Sequence, residues 1–212
     1  MDRRVIYTIG HSNYSLETLN EMIKKYNIDV IVDVRGTPYS KYNIQYNLNV
    51  IRENLKQFGL SYIYMGKEFG AQREKREYYI NEGYADFKKV VKDDKFKKGI
   101  ERLKDGCDKG YTICLLGAKQ NPIECHRFAL VALALEKEGF EVKNIVHSGE
   151  IKSNYELEEE LIDRYFDRND INFYSILEGE KSREEYLNES IEKMNREIGF
   201  RLEKLKEKGY KL

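Results

Sequence analysis

The sequence predicts an α/β fold: a Rossmann-like, three-layer domain with a mostly parallel sheet of about five strands, plus a C-terminal helical extension. Three observations predict it. Short β-branched runs alternate with amphipathic helical stretches as far as Gly149. The runs end in polar or glycine-containing turns, as strands feeding crossover helices do. Beyond Gly149 the strand pattern stops and two helix-start signatures appear. Residues 1–150 are therefore taken as the α/β domain carrying the candidate site. Residues 151–212 are taken as a helical extension that packs on that domain or mediates dimerisation.

Arg4 to Gly10 (RVIYTIG) is a short apolar run bounded by polar residues, hence a strand. Ser15 can cap the next helix, whose Leu16, Leu19, Met22, Ile23 and Tyr26 recur at helical spacing. Asp29 to Gly36 (DVIVDVRG) is a second β-branched run, of the kind buried in a parallel sheet. Val50 to Phe58 predicts a helix ended by Gly59, and LSYIYMG a third strand. Phe87 to Leu103 is a lysine-rich helical stretch with a break expected around Asp93 and Asp94. Tyr111 to Ala118 (YTICLLGA) is the fourth strand, Asn121 to Gly139 a helix, and Val142 to Gly149 the fifth strand. Ser153 with Glu156, and Ser182 with Glu185, match the capping-box signature. The second box opens onto Leu187, Ile191, Met194, Ile198, Leu202 and Leu205, an apolar stripe. Its own domain or a second copy of the chain would cover it.

Charged residues make up 35% of the 212 and hydrophobic ones 41%, which suits a soluble globular chain. The 37 basic residues balance 37 acidic ones. A net charge of zero argues against a protein whose main task is coating nucleic acid. A local basic patch stays open; Lys67 to Lys104 is lysine-rich, though such a helix is more often just a solvated face. No run approaches the roughly 20 apolar residues that cross a bilayer, and no signal-peptide core precedes the first strand. Cys107, Cys114 and Cys125 offer neither a CxxC pair nor a disulfide framework. A reduced, cytoplasmic protein without membrane association is expected.

Ligands in open α/β sheets sit beyond the carboxyl ends of the strands. The first strand delivers His11 and Ser12 there, and the second Asp33 and Arg35, with Gly36 to Ser40 in the loop. The fourth delivers Gly117, Ala118 and Lys119, leading to Cys125, His126 and Arg127; the fifth delivers His147 and Ser148. All three histidines of the chain fall on this one edge. Each residue also has a plainer role. His11 could cap a helix, Asp33 could form an ion pair with Arg35 or Arg127, and His147 and Lys119 could simply be solvated. A buried carboxylate must in any case be paired or hydrogen-bonded.

Asn121 as N-cap, Pro122 at the first helical position and Glu124 in a capping box place Cys125, His126 and Arg127 in the first two helical turns. A thiol there, beside His and Arg, should have a lowered pKa and could act as a nucleophile. Cations at that terminus oppose the helix dipole. Compensation would come from Asp33, from Glu124 or from a bound anion, which free backbone N–H groups also attract. Spacing excludes several chemistries. Position 131 is Val131, so Cys125 does not open a phosphatase-type loop. Neither a P-loop nor a dinucleotide glycine fingerprint is present. His11, Asp33, Cys125, His126 and His147 could supply metal ligands, but no pair has a diagnostic spacing. No cofactor is predicted, and a divalent metal is left open.

TIGHS (Thr8 to Ser12), DVRGTPYS (Asp33 to Ser40), LLGA…CHR (Leu115 to Arg127) and IVHSG together resemble the domain-of-unknown-function 488 family, over about residues 4 to 150. The resemblance implies a compact α/β domain of prokaryotic cytosolic proteins. It puts His11, Ser12, Asp33, Arg35, Pro38, Cys125, His126 and Arg127 on positions typical of the family, and implies no established activity. Where members often read CAE, this chain has Gly117, Ala118 and Lys119. Chemistry needing that first cysteine would be altered here, whereas chemistry needing only Cys125, or only His126 and Arg127, would survive.

The expected function is an enzyme, hydrolase or transferase, acting on a phosphorylated or otherwise anionic substrate, with a nucleotide or nucleic-acid end included. Arg35, Arg127, Ser12 and Ser40 would hold the anion. His11 or His126 would be general acid or base, Asp33 would orient a histidine or arginine, and Cys125 could be the nucleophile. His147 is a further candidate. The alternative is a non-catalytic anion- or nucleotide-sensing module whose helical tail binds a partner, a second copy included.

Overall fold

Strands form where both faces of the chain can be buried. The computed structural model describes residues 3–167 and 181–207. Its sheet contains β1 (Val5–Gly10), β2 (Val30–Asp33), β3 (Ser61–Tyr64), β4 (Ile113–Gly117), β5 (Glu141–Ile145) and β6 (Ile151–Ser153). The order is β3-β2-β4-β1-β5-β6. The first five are parallel, and β6 runs antiparallel to β5. Every residue of β2 and β4 is buried, whereas the edge strand β3 alternates exposed and half-buried positions. The α/β, mostly parallel architecture is as the sequence predicts. β6 was not expected: its three residues are too few to show any alternation, and it is held by the register Lys143↔Ser153 to Ile145↔Ile151.

Helices cover both faces. α1 (Leu16–Lys24) and α2 (Leu48–Gln57) place Leu19, Ile23, Ile51 and Leu55 in one core with Ile9, Ile31 and Leu116. The opposite face carries α3 (Gly66–Phe69), α4 (Phe87–Val90) and α5 (Asp94–Asp108). The segment after β4 joins them there, so that Phe69, Phe96, Leu130 and Leu135 pack with Ile6, Val32 and Leu115. The lysine-rich stretch does break at Asp93, whose side chain caps α5 by accepting the Lys95 N–H at 2.7 Å.

The stretch from Asn121 to Gly139 departs from a single helix. Asn121 caps only a 3₁₀ turn, Pro122–Glu124, after which Cys125 is extended (φ −133°, ψ 138°). Helix resumes at His126 and is π-wound over Arg127–Ala132 before α6 (Leu133–Lys137). Cys125 therefore stands just ahead of this helix rather than within its first two turns. The cause is burial: all six residues of the π segment are buried, and Arg127 must reach back to the loop behind it. Such π insertions occur preferentially at functional sites.

Beyond β6, α7 (Asn154–Tyr165) and α8 (Arg183–Ile198) both start with complete capping boxes, at Ser153 and Ser182. α9 (Leu202–Glu207) follows. Met194 and Leu205 are fully buried in the same core as Ile6 and Leu115, with Ile191, Ile198 and Leu202 packed against it. The apolar stripe is thus largely covered by its own chain. Among the described residues no helix is long and apolar enough to cross a membrane.

This topology fixes where a ligand could sit. From β1 the chain leaves for α1 on one face, and from its neighbour β4 it leaves for the other face. Adjacent strands whose connections diverge in this way open a crevice at their carboxyl ends. His11 follows β1 there, and the loop to Cys125 follows β4.

Candidate functional site

Asp33 ends β2 and is fully buried. Its Oδ1 accepts the Arg35 backbone N–H (3.0 Å) and Nε–H (2.9 Å). Its Oδ2 accepts Arg35 Nη2 and the Tyr62 hydroxyl, both at 2.6 Å. Arg35 also donates from Nη2 to the Tyr46 carbonyl (2.8 Å) and from Nη1 to His11 Nε2 (3.0 Å). These bonds occupy four of the guanidinium's five N–H groups, leaving one on Nη1. Asp33 therefore pairs with Arg35 and not with Arg127.

His11 has its tautomer set by its neighbours. Nδ1 donates to the Ser12 carbonyl at 2.7 Å, which leaves Nε2 as the acceptor for Arg35. Its ring stacks on Tyr46, with centroids 4.0 Å apart and planes 18° from parallel. Burial and the Arg35 charge bring its pKa down to about 4, so the ring is neutral at pH 7. Ser12 next to it has φ 45°, in the left-handed region that a non-glycine residue seldom occupies. Backbone bonds His11 N–H to Gly117 O (3.0 Å) and Ser12 N–H to Ala118 O (2.9 Å) hold it there. Strain of this kind gathers at ligand-binding positions.

Cys125 and His126 form a second unit. Cys125 Sγ lies 3.9 Å from His126 Nδ1, long but within reach of sulfur, and His126 Nε2 donates to the Val34 carbonyl at 2.9 Å. Burial alone would raise the thiol's pKa. The hydrogen bond and charge of His126, the Arg127 charge and the Arg127 backbone N–H outweigh it and bring the thiol down to about 5. His126 moves the other way: burial lowers it, but Cys125 and the Val34 carbonyl raise it overall. The two opposite shifts favour a thiolate–imidazolium pair. Burial instead pushes the thiols of Cys107 and Cys114 up.

Arg127 is completely buried. It donates from Nη1 to the Lys119 carbonyl, from Nη2 to the Gln120 carbonyl (2.9 Å) and from Nε to Thr8 Oγ1 (3.4 Å). The cation is thus balanced by carbonyl dipoles and by the Cys125 thiolate. Two glycines make room for it. A Cβ at Gly10 would lie 1.7 Å from the Lys119 carbonyl oxygen, and one at Gly117 would lie 2.9 Å from Arg127 Cδ. A Cβ at Gly117 would also lie 3.1 Å from Cys125 Sγ, so this glycine adjoins the thiol directly.

Above these units lies a cleft of about 510 Å³. His11, Ser12, Arg35, Ser40, Lys119 and His126 line it, with Tyr39 among its walls and no carboxylate in its lining. Ser40 Oγ accepts the N–H groups of Tyr42 (3.1 Å) and Asn43 (3.0 Å), which folds the loop around the cleft. Asp33, Cys125 and Arg127 stand behind the lining; Cys125 is 4% exposed. His147 is separate. It shares a 2.5 Å hydrogen bond with the Tyr14 hydroxyl and lines a neighbouring pocket of about 720 Å³, which shares Ser12 and Lys119 with the cleft. Among the described residues no group of three or more His, Cys, Asp or Glu is placed to hold a metal ion.

Sequence reasoning missed Tyr46, Tyr62 and the Val34 carbonyl, and left Lys119 as a solvated side chain. Tyr62 carried a signal, since β3 pairs with β2 in the register Ile31↔Tyr62 and Asp33↔Tyr64, which brings tyrosines to the buried carboxylate. Tyr46 and Val34 carried none, because a backbone carbonyl has no signature in the side-chain pattern.

No curated protein and no solved structure matches the chain. Residues 15–134 match the family described as Domain of unknown function DUF488. That span takes in Asp33, Arg35, Ser40, Cys125, His126 and Arg127, and stops short of His11, Ser12 and His147. With more than half of its length matched, the chain belongs to the DUF488 family.

Proposed function

We propose that the protein is a thiolate-dependent enzyme, a hydrolase or transferase, acting on a phosphorylated or otherwise anionic substrate held in the cleft. One observation carries this reading: a Cys125–His126–Val34 carbonyl relay bordering a cleft with Arg35, Lys119 and His126 in its lining and no carboxylate. The relay has the logic of a cysteine–histidine pair oriented by a third group. The Cys125 thiolate attacks the phosphorus or acyl carbon of the substrate and forms the new S–P or S–C bond. The bond to the leaving group breaks, and the leaving oxygen takes the proton from His126 Nδ1. A water or acceptor hydroxyl then gives its proton back to Nδ1 as it displaces the sulfur.

The other side chains have supporting roles in this scheme. Arg35 offers its remaining Nη1–H and Lys119 its ammonium to the anion. Ser12 and Ser40 line the same space. His11 is neutral and its Nε2 lone pair is taken by Arg35, so it positions the guanidinium rather than moving protons. Arg127 lowers the thiol pKa and ties the 119–120 loop to β1. The 4% exposure of Cys125 favours a second reading, an anion-sensing module in which the pair only tunes the charge of the cleft. Inorganic phosphate tests the shared premise: it should protect Cys125 from iodoacetamide, and unchanged labelling at saturating phosphate would remove the anion site. Turnover of phosphomonoester or thioester substrates, lost in Cys125→Ser, separates enzyme from sensor.

A further inference from the structure

The cleft does not end at its own walls. Gly36, just after β2, also lines a second and more enclosed cavity of about 470 Å³. Lys67, Arg73, Lys75 and Lys95 line that cavity together with Glu74, Asp93 and Asp94. Asp93 is already committed, since it lies 3.2 Å from Arg73 Nε and caps α5 through the Lys95 N–H. Arg73 is 4% exposed, and its Nε finds no hydrogen-bond acceptor in good geometry. On the opposite side, the pocket beyond Ser12 and Lys119 presents Glu124, Glu150 and Glu160 together with Lys152, which pairs with Glu160. The Gly36 cavity thus carries one more cation than carboxylates (4 − 3) and the His147 pocket one fewer (2 − 3), so negative charges leaving the cleft are favoured towards the lysines.

The loop that walls the cleft bears two highly exposed rings. Tyr39 is 76% exposed and Tyr42 94% exposed, with Ser40 and the exposed Lys41 between them. Both rings stand in solvent on a loop braced by Ser40 Oγ. Aromatic faces beside a cationic groove are the elements that hold unpaired bases, because every base has a π-face and every linkage a charge. Duplex bases are already stacked on one another and cannot use such rings.

We propose that the cleft and the Gly36 cavity form one trough for a single-stranded nucleic-acid segment. Phosphates lie along Lys119, Arg35, Lys67 and Lys75, and bases stack on Tyr39 and Tyr42. The proposal rests on the anionic-ligand reading of the cleft and names its substrate class. Fluorescence anisotropy with a labelled strand of about 12 nucleotides, and with the duplex of the same sequence, tests it. The strand should bind more tightly than the duplex. Tyr39→Ala and Tyr42→Ala should each weaken it about tenfold. The Lys67→Ala/Lys75→Ala pair should reduce the slope of log affinity against log salt by about 1.4, for two lost phosphate contacts. All four side chains are exposed, so folding is not at risk. Equal affinity for strand and duplex, or strand binding untouched by both tyrosine variants, would overturn the proposal. Phosphate protection of Cys125 without strand binding also overturns it and leaves the anion site standing; absence of that protection removes the anion site itself.

Discussion

Alkylation of Cys125 gives the sharpest check on the thiolate–imidazolium pair, provided the pH is chosen with care. A thiol of pKa about 5 is about three-quarters ionised at pH 5.5, whereas one at the ordinary 9.0 is about 0.03% ionised. The ratio of thiolate is then about 2,400. The same drop of about four units (9.0 − 5) makes each thiolate less nucleophilic, by about 60-fold for a Brønsted coefficient near 0.45. The net advantage at pH 5.5 is about 40-fold over an ordinary cysteine. At pH 7 the ionised fractions are about 99% and 1%, and the same penalty leaves less than about twofold. Neutral labelling therefore says little, and acid labelling discriminates. The low exposure of Cys125 slows its reaction at every pH, so the shape of the profile carries the information. Iodoacetamide rates read peptide by peptide in a mass spectrometer should show Cys125 inflecting near pH 5 and flat above pH 6. Cys107, whose thiol burial pushes up, should still be rising at pH 9. His126→Ala should move the Cys125 inflection upward, because the hydrogen bond and charge that lower it are gone. A wild-type inflection between pH 8 and 9 would refute the ion pair.

Three further perturbations probe the scaffold of the site. His11 has a folded pKa of about 4, below its ordinary 6.5, so its neutral ring contributes stability that is complete above pH 6.5 and lost as pH falls towards 4. The shift of 6.5 − 4 = 2.5 units corresponds to about 3 kcal/mol. His11→Gln keeps an acceptor for Arg35 without titrating, and should remove that part of the acid slope in urea midpoints; an unchanged slope would count against the buried neutral ring. Cys125 adds its own loss in this range, which the comparison of the two proteins subtracts. Asp33→Asn strands the Arg35 charge in the interior and should cost about 3–5 kcal/mol by chemical denaturation; a cost below about 1 kcal/mol would mean that the ion pair is not closed in solution. Gly117→Cys puts a Cβ 3.1 Å from Cys125 Sγ, close to the roughly 3 Å that a Cβ keeps from the far sulfur of a disulfide. Mild oxidation should lower the free-thiol titre by two, and an unchanged titre would show that Arg127 Cδ, 2.9 Å from the same point, blocks the side chain.

How much of this was legible in the sequence depends on whether the information lay in a pattern or in a contact. β1, β2 and β4 were visible because strands buried on both faces leave unbroken apolar runs such as VIYTI and ICLL. Their carboxyl ends then placed His11, Ser12, Arg35 and His126 on one edge by topology alone, and the cleft gathers those four. β6 was invisible because its pairing partner, not its three residues, creates it. The break at Cys125 was hidden by ordinary helix-start signals. Asn121 and Pro122 do start a helical turn, but a 3₁₀ turn that ends where Arg127 must reach the Lys119 and Gln120 carbonyls.

That misplacement carries physical meaning for the site. In the sequence reading, two cations at a helix N-terminus needed compensation from Asp33, from Glu124 or from a bound anion. The structure supplies another source of negative charge, the thiolate of Cys125 itself, standing just ahead of the helix with an imidazolium on one side and a guanidinium behind. Asp33 is meanwhile consumed by Arg35, Tyr62 and the turn of the chain after β2. The two candidate anions thus serve separate cations on opposite faces of the sheet, and neither contributes a carboxylate to the cleft between them. Because Asp33 neutralises Arg35 from behind while Lys119 and His126 face the open side, negative charge is wanted in the cleft. A ligand that brings it replaces no internal partner, so binding should leave the Cys125–His126 pair and the Asp33–Arg35 pair both intact.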